Sequence, residues 1–84
     1  MQFPQFRKYK ISETYFHILS EKEFEELNFI GSKYQVRIIE ADQYPEMVRI
    51  QDMLNCKEEA WVAISSEDYA VALEKAKKDY TLIG

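Results

Sequence analysis

Glycine, cysteine and long apolar runs are scarce in this 84-residue chain, and each shortage excludes a class of protein. Its two glycines, Gly31 and Gly84, stand far apart, which excludes both the glycine-rich phosphate loop and the glycine-flanked nucleophilic serine. The single cysteine, Cys56, allows neither an intrachain disulfide nor a thiolate-rich zinc site. No apolar run approaches the length of about 18 residues that spans a membrane, and no signal-peptide apolar segment follows the first ten residues. We therefore expect a cytoplasmic protein with no membrane segment.

Basic residues are also outnumbered. Fifteen acidic residues against eleven lysines and arginines leave a formal net charge of −4, the wrong sign for binding polyphosphate over the whole surface. Any nucleic-acid site would have to be local. A chain of this length, with 46% apolar residues, suits one cooperative domain with little room for an enclosed catalytic cleft.

Residues that carry catalytic or metal chemistry are few and poorly spaced. His17 is the only histidine, and nothing local indicates that Cys56 forms a nucleophilic pair with it. A run of glutamates is typical of the solvated face of an amphipathic helix; its members are Glu21, Glu23, Glu25 and Glu26. We expect no enzyme, no cofactor and no metal site.

The first half of the chain predicts a strand, a helix and a second strand. Residues 14–19 are β-branched and aromatic, as in a strand. Ser20, with Glu23 three residues later, resembles a capping box and predicts a helix over 21–30 that ends at Gly31. The apolar stripe of that helix is Phe24, Leu27 and Ile30. Residues 34–40 then alternate apolar and polar side chains, which predicts a strand.

Residues 47–54 fit two structures. As a helix that begins near Pro45, they place Met47, Ile50 and Leu54 on one stripe. As a strand, they pair with the preceding strand across the turn at 42–45, and we prefer the strand because this is the more economical use of that turn.

The last third of the chain predicts a strand over 60–64 and a helix from the Ser65-Ser66 cap to about Tyr80. The resulting order is β-α-β-β-β-α, an α+β domain with a largely antiparallel sheet and two helices packed on one face. We expect a core of Phe16, Ile18, Phe24, Leu27, Val36, Ile38, Ile50, Val62, Ile64, Leu73 and Ala76.

A basic, aromatic arm over residues 1–12 precedes the domain over residues 13–84. Between residues 3 and 10 it interleaves three aromatics with three cations, the combination that stacks bases and meets phosphates. Alternatively, Phe3 and Phe6 fold back onto the core or extend an edge of the sheet while the cations stay solvated, or the arm contacts another protein.

The function we expect is that of a small non-enzymatic protein-interaction or regulatory domain, of which a homodimer joined through sheet edges and the arm is one form. The alternative is a nucleic-acid-binding module that uses residues 3–10. Candidate contact residues are the exposed aromatics and the arm: Phe3, Phe6, Arg7, Lys8, Tyr9, Lys10, Tyr15, Tyr44 and Trp61.

Overall fold

A computed structural model describes residues 2–83 as one six-stranded sheet with two helices. The elements in chain order are β1 (Gln5–Tyr9), β2 (Thr14–Ser20), β3 (Glu23–Ile30), β4 (Lys33–Glu40), α1 (Tyr44–Leu54), a 3-10 turn (Lys57–Glu59), β5 (Trp61–Ala63), α2 (Ser66–Asp79) and β6 (Thr81–Leu82). The strands lie in the order β5-β1-β2-β3-β4-β6, and only the β4–β6 pair is parallel. The α+β class, the largely antiparallel sheet and the two helices are as predicted.

The helix predicted over 21–30 is wrong, because this segment is strand β3. The Ser20 hydroxyl accepts the amide of Lys22 at 3.1 Å and so closes a turn instead of a capping box. The apolar residues fit a strand because both faces of the sheet are covered, with Phe24 packed on one side and Leu27 on the other. Gly31, at φ 61°, forms the turn into β4.

The helix interpretation of residues 47–54 is the correct one, and the preferred strand is wrong. Helix α1 has Pro45 in its first turn and buries Ile50, Met53 and Leu54. The first helix therefore follows four strands, whereas the predicted β-α-β-β-β-α order put it after one.

The cap of the second helix is confirmed. The Ser65 hydroxyl accepts the amide of Asp68 at 3.0 Å, and the Asp68 carboxylate accepts the amide of Ser65 at 3.2 Å. Only Ile64 and the cap residue Ser65 separate the end of β5 from the start of α2.

The two helices pack on opposite faces of the sheet, which corrects the prediction of a single covered face. The side of the sheet that α1 covers, together with the residues packed on it, is here called the α1 face. Its buried residues are Phe16, Ile18, Phe24, Ala41, Ile50, Met53 and Leu54. The other side of the sheet, which α2 covers, is called the α2 face. Its buried residues are Leu27, Tyr34, Tyr69, Ala72 and Ala76. The predicted core is wrong at Ile38, which is 62% exposed, and at Val62, which is 38% exposed.

Candidate interaction surface

The aromatic residues of the arm are part of the fold. Strand β1 pairs with β2 on one side and with β5 on the other. Phe6 stacks on His17 with ring centroids 4.6 Å apart, and Tyr9 stacks on Trp61 at 5.5 Å. Phe3 packs against the α1 face. Of the interpretations of the arm, these contacts match the one in which it folds back onto the core. That interpretation is wrong in two details, because β1 is an inner strand and not an edge, and because Arg7 is buried and not solvated.

Arg7 is a buried cap for the carboxyl end of α1. Its side chain is on the α1 face, where Nε donates to the Met53 carbonyl at 3.0 Å and Nη2 donates to the Leu54 carbonyl at 3.2 Å. The last carbonyls of a helix lack intrahelical donors, and the helix dipole is negative at that end, so a guanidinium satisfies both requirements. The guanidinium of Arg7 therefore already makes its hydrogen bonds within the fold.

The other two cations of the arm are separated from Arg7 and from each other. Lys8 lies on the α2 face, where its ammonium donates to the Tyr9 carbonyl at 3.1 Å and sits 5.7 Å from the centre of the Tyr15 ring. Lys10 is exposed and 3.7 Å from Glu59. The alternation of a strand has distributed the cations over two faces, so they form no continuous basic stripe.

Tyr15 and Tyr44 lie in different parts of the surface. Tyr15 is half-buried on the α2 face and donates its hydroxyl to Glu13 at 3.1 Å; partial burial, together with that carboxylate, raises the pKa of the phenol to about 12. Tyr44 is 79% exposed at the start of α1. It borders a cavity of about 330 Å³ whose other lining residues are Glu21, Lys22, Met47, Val48 and Gln51.

Trp61 begins β5, the strand at one edge of the sheet. Its indole is half-buried against Tyr9 on the α1 face, and the indole N–H is buried with no acceptor among residues 2–83. Val62 and Ala63, which follow it, are exposed. Trp61 thus anchors the edge strand to the sheet while its neighbours face solvent.

The backbone of β5 has a free hydrogen-bonding side. Lys10 donates its amide to the Ala60 carbonyl at 2.9 Å, and Ile64 donates its amide to the Phe6 carbonyl at 3.2 Å. Because neighbouring residues of a strand direct their backbone groups to opposite sides, the amides and carbonyls of Trp61 and Ala63 point away from β1. These two amides and two carbonyls form the free edge of the sheet.

The strand that forms this free edge carries no charged side chain. Residues 60–66 carry no charge, proline or glycine, although edge strands of monomers are commonly protected by lysine, proline or a bulge. Lys8, the cross-strand neighbour of Val62, directs its ammonium toward Tyr15 in β2, which lies on the side of β1 away from β5. The opposite edge, β6, has only two residues.

Sequence reasoning missed the clusters that the sheet register forms around two adjacent glutamates. Glu25 lies opposite His17, with 4.0 Å between Oε1 and Nδ1, and accepts the Tyr69 hydroxyl at 2.5 Å. Burial and this bond raise the pKa of the Tyr69 phenol well above its ordinary value.

Glu26, expected on a solvated helix face, is buried between Arg37 at 2.8 Å and Arg49 at 3.2 Å. Because residues 23–30 form a strand, neighbouring side chains point to opposite faces of the sheet. This places Glu25 on the α2 face and Glu26 on the α1 face.

The Glu25 cluster does not form a cleft with His17. A cavity of about 400 Å³ lies beside it on the α2 face, and its lining includes Glu25 and no second carboxylate; the other lining residues are Tyr34, Val36, Leu73, Lys77, Leu82 and Ile83. Within residues 2–83, no three His, Cys, Asp or Glu side chains come close enough to hold a metal ion.

Comparison of the chain with protein-family models, with curated proteins and with solved structures finds no match. Within residues 2–83, neither helix has the length and apolar character needed to cross a membrane.

Proposed function

We propose that this protein is a small, non-enzymatic interaction domain that binds protein partners by strand addition at the free edge of β5. The observation that carries the proposal is the uncharged edge at Trp61 and Ala63, whose backbone donors and acceptors face solvent. An extended partner that pairs there extends the sheet, and main-chain hydrogen bonds supply its affinity.

The rest of the sheet supports this edge. Tyr9 and Trp61 stack between β1 and β5, and Tyr9 packs edge-on against Phe16 at 5.1 Å in the core. The edge strand is therefore anchored before a partner arrives, which reduces the ordering entropy lost on binding. We also propose a cytoplasmic location, with the lone cysteine as its support.

The alternative function, nucleic-acid binding by residues 3–10, has weaker support. Of the cations it needs, Arg7 caps α1 and Lys8 is held over Tyr15, while the aromatics Phe6 and Tyr9 pack within the fold. Base stacking would require those rings to leave their present contacts.

A synthetic peptide with the sequence of residues 60–66 is a suitable probe of strand addition, because its side chains are uncharged and it contains β5, which pairs with β1 in the fold. We expect it to slow hydrogen exchange at the amides of Trp61 and Ala63, while the amide of Val62 is already directed toward β1. Unchanged exchange at both amides under saturating peptide would contradict the proposal.

The matched variants are Ala63→Pro and Ala63→Ser. Proline removes only an amide that faces solvent, which edge strands tolerate, whereas serine keeps that amide. We expect the proline variant to fold and to bind the peptide about tenfold more weakly, the effect of losing roughly one hydrogen bond, and the serine variant to bind like the wild type. Equal binding by all three proteins would contradict the proposed edge.

A further inference from the structure

We infer that the strand which occupies this edge is β5 of a second copy of the chain, antiparallel to the first and related to it by a two-fold axis beside Val62. The inference rests on the proposed function and names its partner.

The pattern of free backbone groups selects this register. With Val62 opposite Val62 of the second copy, Trp61 of each copy lies opposite Ala63 of the other, and all the outward-facing amides and carbonyls pair in four hydrogen bonds. A shift by two residues along the strand leaves half of these groups unpaired. A shift by one residue sets outward-facing groups against inward-facing ones.

The side chains suit the same register. On the α1 face, the large indole of Trp61 comes beside the small, exposed Ala63 of the other copy, which leaves room for the ring. On the α2 face, the two Val62 side chains form a β-branched pair at a non-hydrogen-bonded position, where cross-strand side chains are closest. Val62 is 38% exposed in the single chain, so the pair buries apolar surface that now faces water.

Charge and length determine how strong the association is. Each copy has a net charge of −4, so the copies repel one another at long range and added salt should strengthen the dimer. A basic nucleic-acid site has the opposite salt dependence. The paired segment has only three residues per copy, so we expect a weak dimer that is detected at chain concentrations of about 0.1 to 1 mM.

Disulfide trapping tests the register directly in the full chain with Cys56→Ser as background. In that background, Val62→Cys places two thiols at a position where the Cα atoms of the copies are about 4.5 Å apart, within disulfide range. The matched control, Ala63→Cys, puts its Cα atoms more than about 7 Å apart, because they are two residues out of register. We expect the first variant to form covalent dimers about tenfold faster than the second under mild oxidation.

Analytical ultracentrifugation of the wild type and of Ala63→Pro completes the test. A wild-type dimer that strengthens with salt and is lost in a folded Ala63→Pro variant supports the inference. A chain that stays monomeric at about 1 mM, a dimer that survives in the proline variant, or equal trapping at positions 62 and 63 overturns it. Peptide binding to a chain that stays monomeric would overturn the homodimer and leave the strand-accepting function standing.

Discussion

The two faces of this sheet are stabilised by different interactions, although the same strands build both. On the α1 face, charged groups lie inside the packing: Arg7 caps the helix, and Glu26 binds Arg37 and Arg49. On the α2 face, the corresponding polar contacts are hydroxyl-to-carboxylate bonds, from Tyr69 to Glu25 and from Tyr15 to Glu13. Adjacent residues along one strand therefore have different energetic roles, and substitutions at neighbouring positions measure the difference.

The largest expected effect is at Arg7. Arg7→Met removes the donors that satisfy the Met53 and Leu54 carbonyls at the buried end of α1, and we expect it to lower the free energy of unfolding by about 3 kcal/mol. Lys8→Met is the matched control on the other face of β1, with an expected change below about 0.5 kcal/mol. Urea denaturation measures both variants, and equal losses would remove the contrast between the faces.

The second pair of matched substitutions is at the neighbouring positions Glu26 and Glu25. Glu26→Gln leaves Arg37 and Arg49 without a counter-charge; because both arginines are partly exposed, we expect a loss of about 2 kcal/mol, less than for a fully buried pair. Glu25→Gln keeps an oxygen that accepts the Tyr69 hydroxyl, so its expected loss is below about 1 kcal/mol. If chemical denaturation ranks Glu25→Gln as the more damaging substitution, the assignment of roles is wrong.

Alkaline pH should act mainly on the α2 face. The folded-state pKa of Tyr69 is raised above the ordinary value of 10.0 and that of Tyr15 is raised to about 12, so both phenols hold their protons more tightly in the folded state. Their contribution is fully present below pH 10 and is lost as the pH rises from 10 through the folded-state values. We expect the melting temperature to fall above pH 10, with a shallower fall in Tyr69→Phe than in the wild type. Identical slopes in the two proteins would count against this role.

The smallest effect is expected at Ile38, which lies on the α2 face in the row of Glu25 and His17 but is 62% exposed. Ile38→Thr keeps the β-branch and should change stability by less than about 0.5 kcal/mol. The matched substitution Ile18→Thr, at a fully buried position on the α1 face, introduces a hydroxyl into the core. We expect it to lower the free energy of unfolding by at least about 2 kcal/mol. Thermal denaturation of the two variants tests whether burial alone separates these isoleucines.

Local patterns predicted the parts of the fold that depend on neighbours in the sequence. The strand at 14–19, the strand at 34–40 and the Ser65 cap were all read from short stretches, and they appear as β2, β4 and the start of α2. The segment 21–30 was not predictable in this way, because a three-residue apolar spacing fits both one helix face and a strand covered on two sides.

The candidate site shows the same division between what local sequence indicated and what depended on the tertiary structure. Composition singled out Tyr44 and Trp61, and both lie at the surface or at the sheet edge. Nothing in the local sequence indicated that Arg7 caps a helix 46 residues away or that Glu26 is buried between two arginines. Those contacts depend on which strands pair and in which register.

By itself, the sequence determined the class of this protein: apolar content, the single cysteine and the strand and cap patterns predict one small α+β domain. Only the tertiary structure decided that the helices cover opposite faces, that residues 5–9 of the basic arm form an inner strand and that β5 is the uncharged free edge. The physical reason is that turns and caps use interactions between residues a few positions apart, whereas strand pairing joins distant residues, and a shift of one residue exchanges the two faces.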